Sequence, residues 1–131
     1  MSAQGSGNDY REWLRYAIED LGLDFRVMSP PEVYPRHACY FAQQAAEKAI
    51  KAVLDYHKID FAFRHDLEYL NRPMPQDWRF DADSANLEQL SDWVVVSRYP
   101  GDMPPATEDD ARTSLSDASY IVETIANRLP D

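Results

Sequence analysis

Apolar residues recur every three or four positions through most of this chain, a period that predicts helices. In the first such segment, about 8–28, Leu14, Ile18, Leu21, Phe25 and Met28 step along one face. Ser29-Pro30-Pro31 stops it, because proline lacks the amide hydrogen and restricts the residue before it. A second helix, about 34–57, carries Ala38, Ala42, Ala45, Ala49, Ala52 and Tyr56 in alternating steps of four and three. A short helix over about 65–70 ends at Asn71-Arg72-Pro73-Met74-Pro75. The next covers about 83–97, with Leu87, Leu90, Val94 and Ser97 on one face. The last covers about 108–129, with Ala111, Leu115, Ala118, Val122, Ile125 and Leu129 in the same rhythm. Thr107 is its predicted N-cap, and Asp110 falls where a carboxylate meets orphan amides.

These stripes predict an all-α fold, an up-and-down bundle of four main helices plus a short extra helix. Val94-Val95-Val96 is the only strand-like run, and three residues inside a helical period make no sheet. The stretch Arg98-Tyr99-Pro100 to Pro105 holds three prolines and a glycine and is predicted as a loop. There are no internal repeats. Residues 1–7 are expected as a disordered tail and 8–131 as one bundle domain. The second helix presents a stripe of alanine, so a neighbouring helix can approach closely. Trp13, Trp78 and Trp93 are expected in the core or at an interface.

Composition narrows the class. The 131 residues are 44% hydrophobic, which is globular, and no apolar run nears the roughly 20 residues of a membrane span. The opening MSAQGSGND has no basic region followed by an apolar one, so no signal peptide is expected. The lone Cys39 has no intrachain disulfide partner and reads as a small buried residue. A reducing cytoplasm is the expected compartment. Net charge is −10, from 23 acidic and 13 basic residues, which disfavours nonspecific duplex nucleic acid.

Candidate chemistry sits in three places. Gln43, Gln44, Glu47, Lys48 and Lys51 form a dense polar set beside the alanine stripe. They read as a solvated face, or as side chains that serve a partner or a nucleotide. Arg64-His65-Asp66 opens the short helix. Asp66 suits the first-turn amides, while Arg64 and His65 suit phosphate or acid–base work. Arg98-Tyr99-Pro100 follows the fourth helix, where an arginine favours the helix dipole or a binding role. His37 and His57 read as solvated helix-end residues. Glycine-rich phosphate loops, a serine elbow and metal-binding clusters are missing from the sequence, so no cofactor or metal is expected.

As a set these residues resemble the HEPN family of small prokaryotic helical proteins. The resemblance is carried by Glu12-Trp13-Leu14, Ala17-Ile18-Glu19-Asp20-Leu21, the run from Phe41-Ala42-Gln43-Gln44 through Glu47-Lys48 to Lys51-Ala52, His65-Asp66-Leu67 with Leu70, and Arg98-Tyr99-Pro100. It implies a helical bundle, commonly a homodimer. It also implies a minimal nucleotidyltransferase as possible partner, as in toxin–antitoxin pairs, and nucleotide binding. Some relatives are metal-independent ribonucleases that carry an arginine and, a few residues later, a histidine. Here Arg98 matches the arginine, but Tyr99 to Pro105 contains no histidine. The expected role is therefore a noncatalytic binding module. The alternative is a ribonuclease that draws its histidine from elsewhere, His65 being the weak candidate alongside Arg98. The candidate nucleotide or phosphate site is Arg98, Arg64, His65, Lys48 and Lys51. Gln44, Glu47, Asp66 and Tyr99 are candidate interface or structural positions.

Overall fold

The computed structural model describes residues 9–61, 64–96, 101 and 104–130. Among the described residues every regular element is helical and there is no strand. The elements are α1 (Tyr10–Val27), α2 (Pro35–Tyr56), α3 (Leu67–Asn71), a single 3₁₀ turn (Gln76–Trp78), α4 (Leu87–Val96) and α5 (Glu108–Arg128). The four long helices and one short helix match the predicted bundle.

The helix starts follow local chemistry. Thr107 accepts from the Asp110 amide, and the Asp110 carboxylate accepts from the Thr107 amide, a complete capping box. Asp66 caps α3 by accepting from the Glu68 and Tyr69 amides. Helix α4 begins at Leu87, a few residues later than the periodicity suggested. Asp81 and Ser84 close a turn on each other, and the Asn86 side chain then takes the Gln89 amide.

Helix α2 is the central element. Ala38, Ala42, Ala45, Ala46, Ala49 and Ala52 are all fully buried, so its neighbours pack close to its axis. Helix α1 runs antiparallel to it, with the Tyr10 ring edge-on to Tyr56 at 5.0 Å and the Tyr34 amide bonded to the Val27 carbonyl. Helix α5 lies parallel to α2 and antiparallel to α1. Its Ser114 meets Cys39 near one end of the bundle, and the Tyr10 hydroxyl bonds the Pro130 carbonyl at the other.

The rotation of α1 differs from the expected stripe. Its buried residues are Ala17, Leu21 and Asp24, while Ile18 is 50% exposed and Phe25 49%. The alanine face of α2 sets a short interhelix distance, which the small Ala17 fits and Ile18 does not. The cost is Asp24, a carboxylate carried into the seam.

Candidate functional site

Gln43, Glu47 and Lys51 stand one turn apart on α2, and all three are buried. Together with His65 they form one connected network. Glu47 Oε1 accepts from Gln43 Nε2 at 2.9 Å and lies 2.8 Å from His65 Nδ1. Glu47 Oε2 accepts from Lys51 Nζ at 2.9 Å. Gln43 Nε2 also donates to the His65 carbonyl at 3.0 Å, and its own oxygen accepts from Gln44 at 2.7 Å. The segment before α3 is thus held to α2 by both the backbone and the ring of His65.

Burial alone would push the Glu47 carboxyl up. Hydrogen bonds from Gln43, Lys51 and His65, together with the Lys51 charge, outweigh that and hold it below the usual carboxylate range. A buried carboxylate is tolerated because each of its oxygens has a donor. Lys51 is sheathed by aromatic rings, its ammonium 5.5 Å from the centroids of both Trp13 and Phe61. Lys48 is paired to Asp20 of α1 at 2.5 Å.

The outer edge is more open. The His65 side chain is 52% exposed although its Nδ1 is fixed. Beside it the exposed Arg64 lays its guanidinium 4.2 Å from the Tyr69 ring centroid. Asp66 spends its carboxylate on the first turn of α3. The structure therefore brings Gln44, Glu47, Lys51, Arg64, His65 and Asp66 into one neighbourhood, with Lys48 on the α1 side of α2. Arg98 and Tyr99 lie outside the described residues.

Two residues of the site region carry roles the sequence reading did not assign: Gln43 stood only within the polar set of α2, and Asp24 was not named. Gln43 joins the two halves of the network, and its signal was its place one turn before Glu47. Asp24 is fully buried, with neither carboxyl oxygen hydrogen-bonded among the described residues. Its signal was its position three residues after Leu21 and four before Met28. Burial pushes its carboxyl up to about 8. Among the described residues no cluster of histidine, cysteine and carboxylate side chains is placed to hold a metal ion. No helix among them is long and apolar enough to cross a membrane.

Comparison with known proteins places this geometry in a family. The HEPN domain model matches residues 10–129. The chain is similar to "Putative toxin MJ1304" of Methanocaldococcus jannaschii, 29% identical, with 91% of this chain and 87% of the relative covered. It is also similar to the crystal structure of ST0689, an archaeal HEPN homologue, with a TM-score of 0.72 and 26% identity. That match covers 92% of this chain and 98% of the other. The family match spans all five helices, α2 and the His65 segment included, and the chain belongs to the HEPN domain family.

Proposed function

We propose that this HEPN domain is a noncatalytic binding module that takes the phosphate of a nucleotide at the edge formed by Arg64 and His65. The observation that carries this reading is the grip of Glu47 and Gln43 on His65. It fixes a half-exposed imidazole beside an exposed guanidinium. Arginine offers a planar fork of donors to phosphate oxygens, and imidazole adds a further donor. Lys48 and Lys51 already have carboxylate partners, so they contribute background charge rather than direct donors. Arg98, outside the described residues, is proposed as a further phosphate contact.

The same reading includes a homodimer and a nucleotidyltransferase partner, in a toxin–antitoxin-type pair. The alanine stripe does not argue for the dimer, because it is covered within the monomer. Exposed apolar residues on the two flanks of α1 support it, Tyr16 and Leu23 on one side and Ile18 and Phe25 on the other. The similarity to a protein named as a toxin supports the pairing. Light scattering giving a mass of about 30 kDa, twice the 15.1 kDa chain, is expected, and a monomer at high micromolar concentration would count against the dimer.

Calorimetric titration with AMP tests the site. Binding should be lost in Arg64→Ala with a melting temperature near the parent's, and in His65→Ala, where losing the bond to buried Glu47 also lowers the melting temperature. Equal affinity in all three proteins would remove the assignment.

One observation favours a second reading. A carboxylate on Nδ1 of an exposed histidine is an arrangement that supports proton transfer, worth typically about 10²–10⁴-fold in rate. On that reading the protein is a metal-independent ribonuclease with His65 as its acid–base group. RNA cleavage that persists in chelator and disappears in His65→Ala would select it.

A further inference from the structure

Helix α1 turns toward solvent a flank that the bundle does not use. Leu14, Ile18, Gly22 and Phe25 follow one another at steps of four, four and three, so they line one side of the helix. Ile18 and Phe25 are both about half exposed. Toward the start of α1 this flank opens into a groove of about 350 Å³, with Leu14 and Ile18 on one wall and Ala126, Leu129 and Pro130 on the other.

Gly22 is an independent observation on the same flank. Glycine is a poor helix former, because it gives up the most conformational freedom on ordering. Nothing among the described residues calls for it here. A Cβ built at Gly22 meets no atom within 4 Å, and the residue is exposed. Between exposed Ile18 and Phe25 it leaves bare backbone that a second helix can approach closely.

Charge identifies that helix. Two copies of α1, laid antiparallel across a twofold axis beside Gly22, bring Phe25 of each copy onto Ile18 of the other. In this register Glu19 of one copy stands within about 3 Å, along the helix axis, of the level of Arg26 on the other. The twofold axis keeps both on the same side of the seam, so each copy offers one acid and one base to its mate. Glu19 and Arg26 are exposed, and neither is in an ion pair among the described residues. Arg11 and Arg15 nearby already hold Asp9 and Glu12. The contact thus avoids the acidic excess that keeps chains of net charge −10 apart elsewhere on the surface.

We infer that the Ile18–Gly22–Phe25 flank of α1 is a docking face for a second copy of this chain, antiparallel and flanked by Glu19–Arg26 pairs. The inference rests on the homodimer reading and adds the face and the register. An unrelated apolar helix would fill the flank without answering Glu19 and Arg26 at this spacing.

Sedimentation velocity of the full chain over a concentration series is the test. Gly22→Leu covers the bare backbone and should weaken the dimer at least about tenfold. Its urea midpoint, at a concentration where the parent is monomeric, should equal or exceed the parent's, because leucine favours the helix and meets no atom in the monomer. Phe25→Asp should weaken the dimer likewise, and Leu23→Asp, on the opposite flank, should leave it unchanged. Glu19→Arg and Arg26→Glu should each dimerise at least about fivefold more weakly than the parent. An equimolar mixture of those two variants should recover the parent's affinity, because opposite charges then meet across the seam. A dimer unmoved by Gly22→Leu and Phe25→Asp, or weakened as much by Leu23→Asp, overturns the face and leaves the dimer to another surface. A mixture of the charge variants that associates no better than either alone overturns the register. A parent that stays monomeric removes both the dimer and its face.

Discussion

Replacing Asp24 by asparagine should make this protein more stable at neutral pH. Asp24 is fully buried in the seam of α1, and neither carboxyl oxygen has a hydrogen-bond partner among the described residues. Desolvation raises its carboxyl from 3.8 to about 8. In the unfolded chain the same group ionises near its ordinary value. Between those two values the unfolded state releases a proton that the folded state keeps, so rising pH favours unfolding. The contribution is fully favourable below pH 4, declines through the window, and levels off above about pH 8. The slope is about 1.4 kcal/mol per pH unit. Between pH 5 and pH 7 the parent should lose about 3 kcal/mol from this group alone, a large share of the roughly 5–15 kcal/mol that holds a domain together.

An asparagine at this position would be neutral in both states and would carry no such slope. Its amide is itself unpaired in the seam and costs about 1–3 kcal/mol, at every pH alike. The informative quantity is therefore a double difference. Urea unfolding of parent and Asp24→Asn at pH 5 and pH 7 should show the variant gaining about 3 kcal/mol on the parent across that interval. Glu47 does not interfere, because its carboxyl is held low and its contribution disappears only as the pH falls below the usual carboxylate range. Parallel stability curves for the two proteins would refute the reasoning, since they would mean that Asp24 is ionised in the fold and satisfied by a cation.

Three further outcomes are expected. Glu47→Gln leaves Lys51 buried without its counter-charge and should cost about 3–5 kcal/mol in thermal or urea unfolding, while Glu47→Gln with Lys51→Met should cost less than the sum of the single changes. Cys39, buried and with its thiol pushed up to about 11, should react with a thiol reagent only in denaturant, and fast labelling of the native protein would contradict its placement. Thr107→Ala removes one half of the α5 capping box and should lower stability by about 1 kcal/mol in the same assay, an unchanged midpoint counting against the cap.

The parts of the fold that were legible in the sequence are those in which one residue type decides one local conformation. Thr107 with Asp110, Asp66 before Leu67, and the proline pairs all act within a turn of themselves. The alanine repeat of α2 was legible for a related reason: six small residues on one helix have no use but close packing. The face that α1 turns inward was legible only in part. Leu14, Leu21 and Met28 of the expected stripe do pack on the core, but Ile18 and Phe25 face out, and Ala17 and Asp24 turn inward instead. The partner decides, because a helix seated against alanines comes too near for Ile18 and accepts Ala17. Asp24 follows Ala17 inward by the same rotation, which is how a carboxylate reaches a dry seam.

The polar network escaped for the opposite reason. Gln43, Glu47 and Lys51 read as a solvated face or as side chains serving a partner or nucleotide, because each is hydrophilic alone. They are buried because each meets another's need: the Gln43 amide and the Lys51 ammonium supply the donors Glu47 requires, and Trp13 and Phe61 cover the ammonium. The final donor, His65, lies 18 positions from Glu47 and joins it only when α3 docks. The two buried carboxylates among the described residues thus have opposite origins. Glu47 is held in place by its donors and fixes the segment that carries Arg64 and His65, whereas Asp24 is carried in by the packing of α1 and holds nothing. For that reason Glu47 belongs to the site and Asp24 to its cost. Since α1 also brings Trp13 to Lys51 and Asp20 to Lys48, the packing that buries Asp24 is the packing that quiets both lysines. Arg64 and His65 are left exposed at the edge of the network.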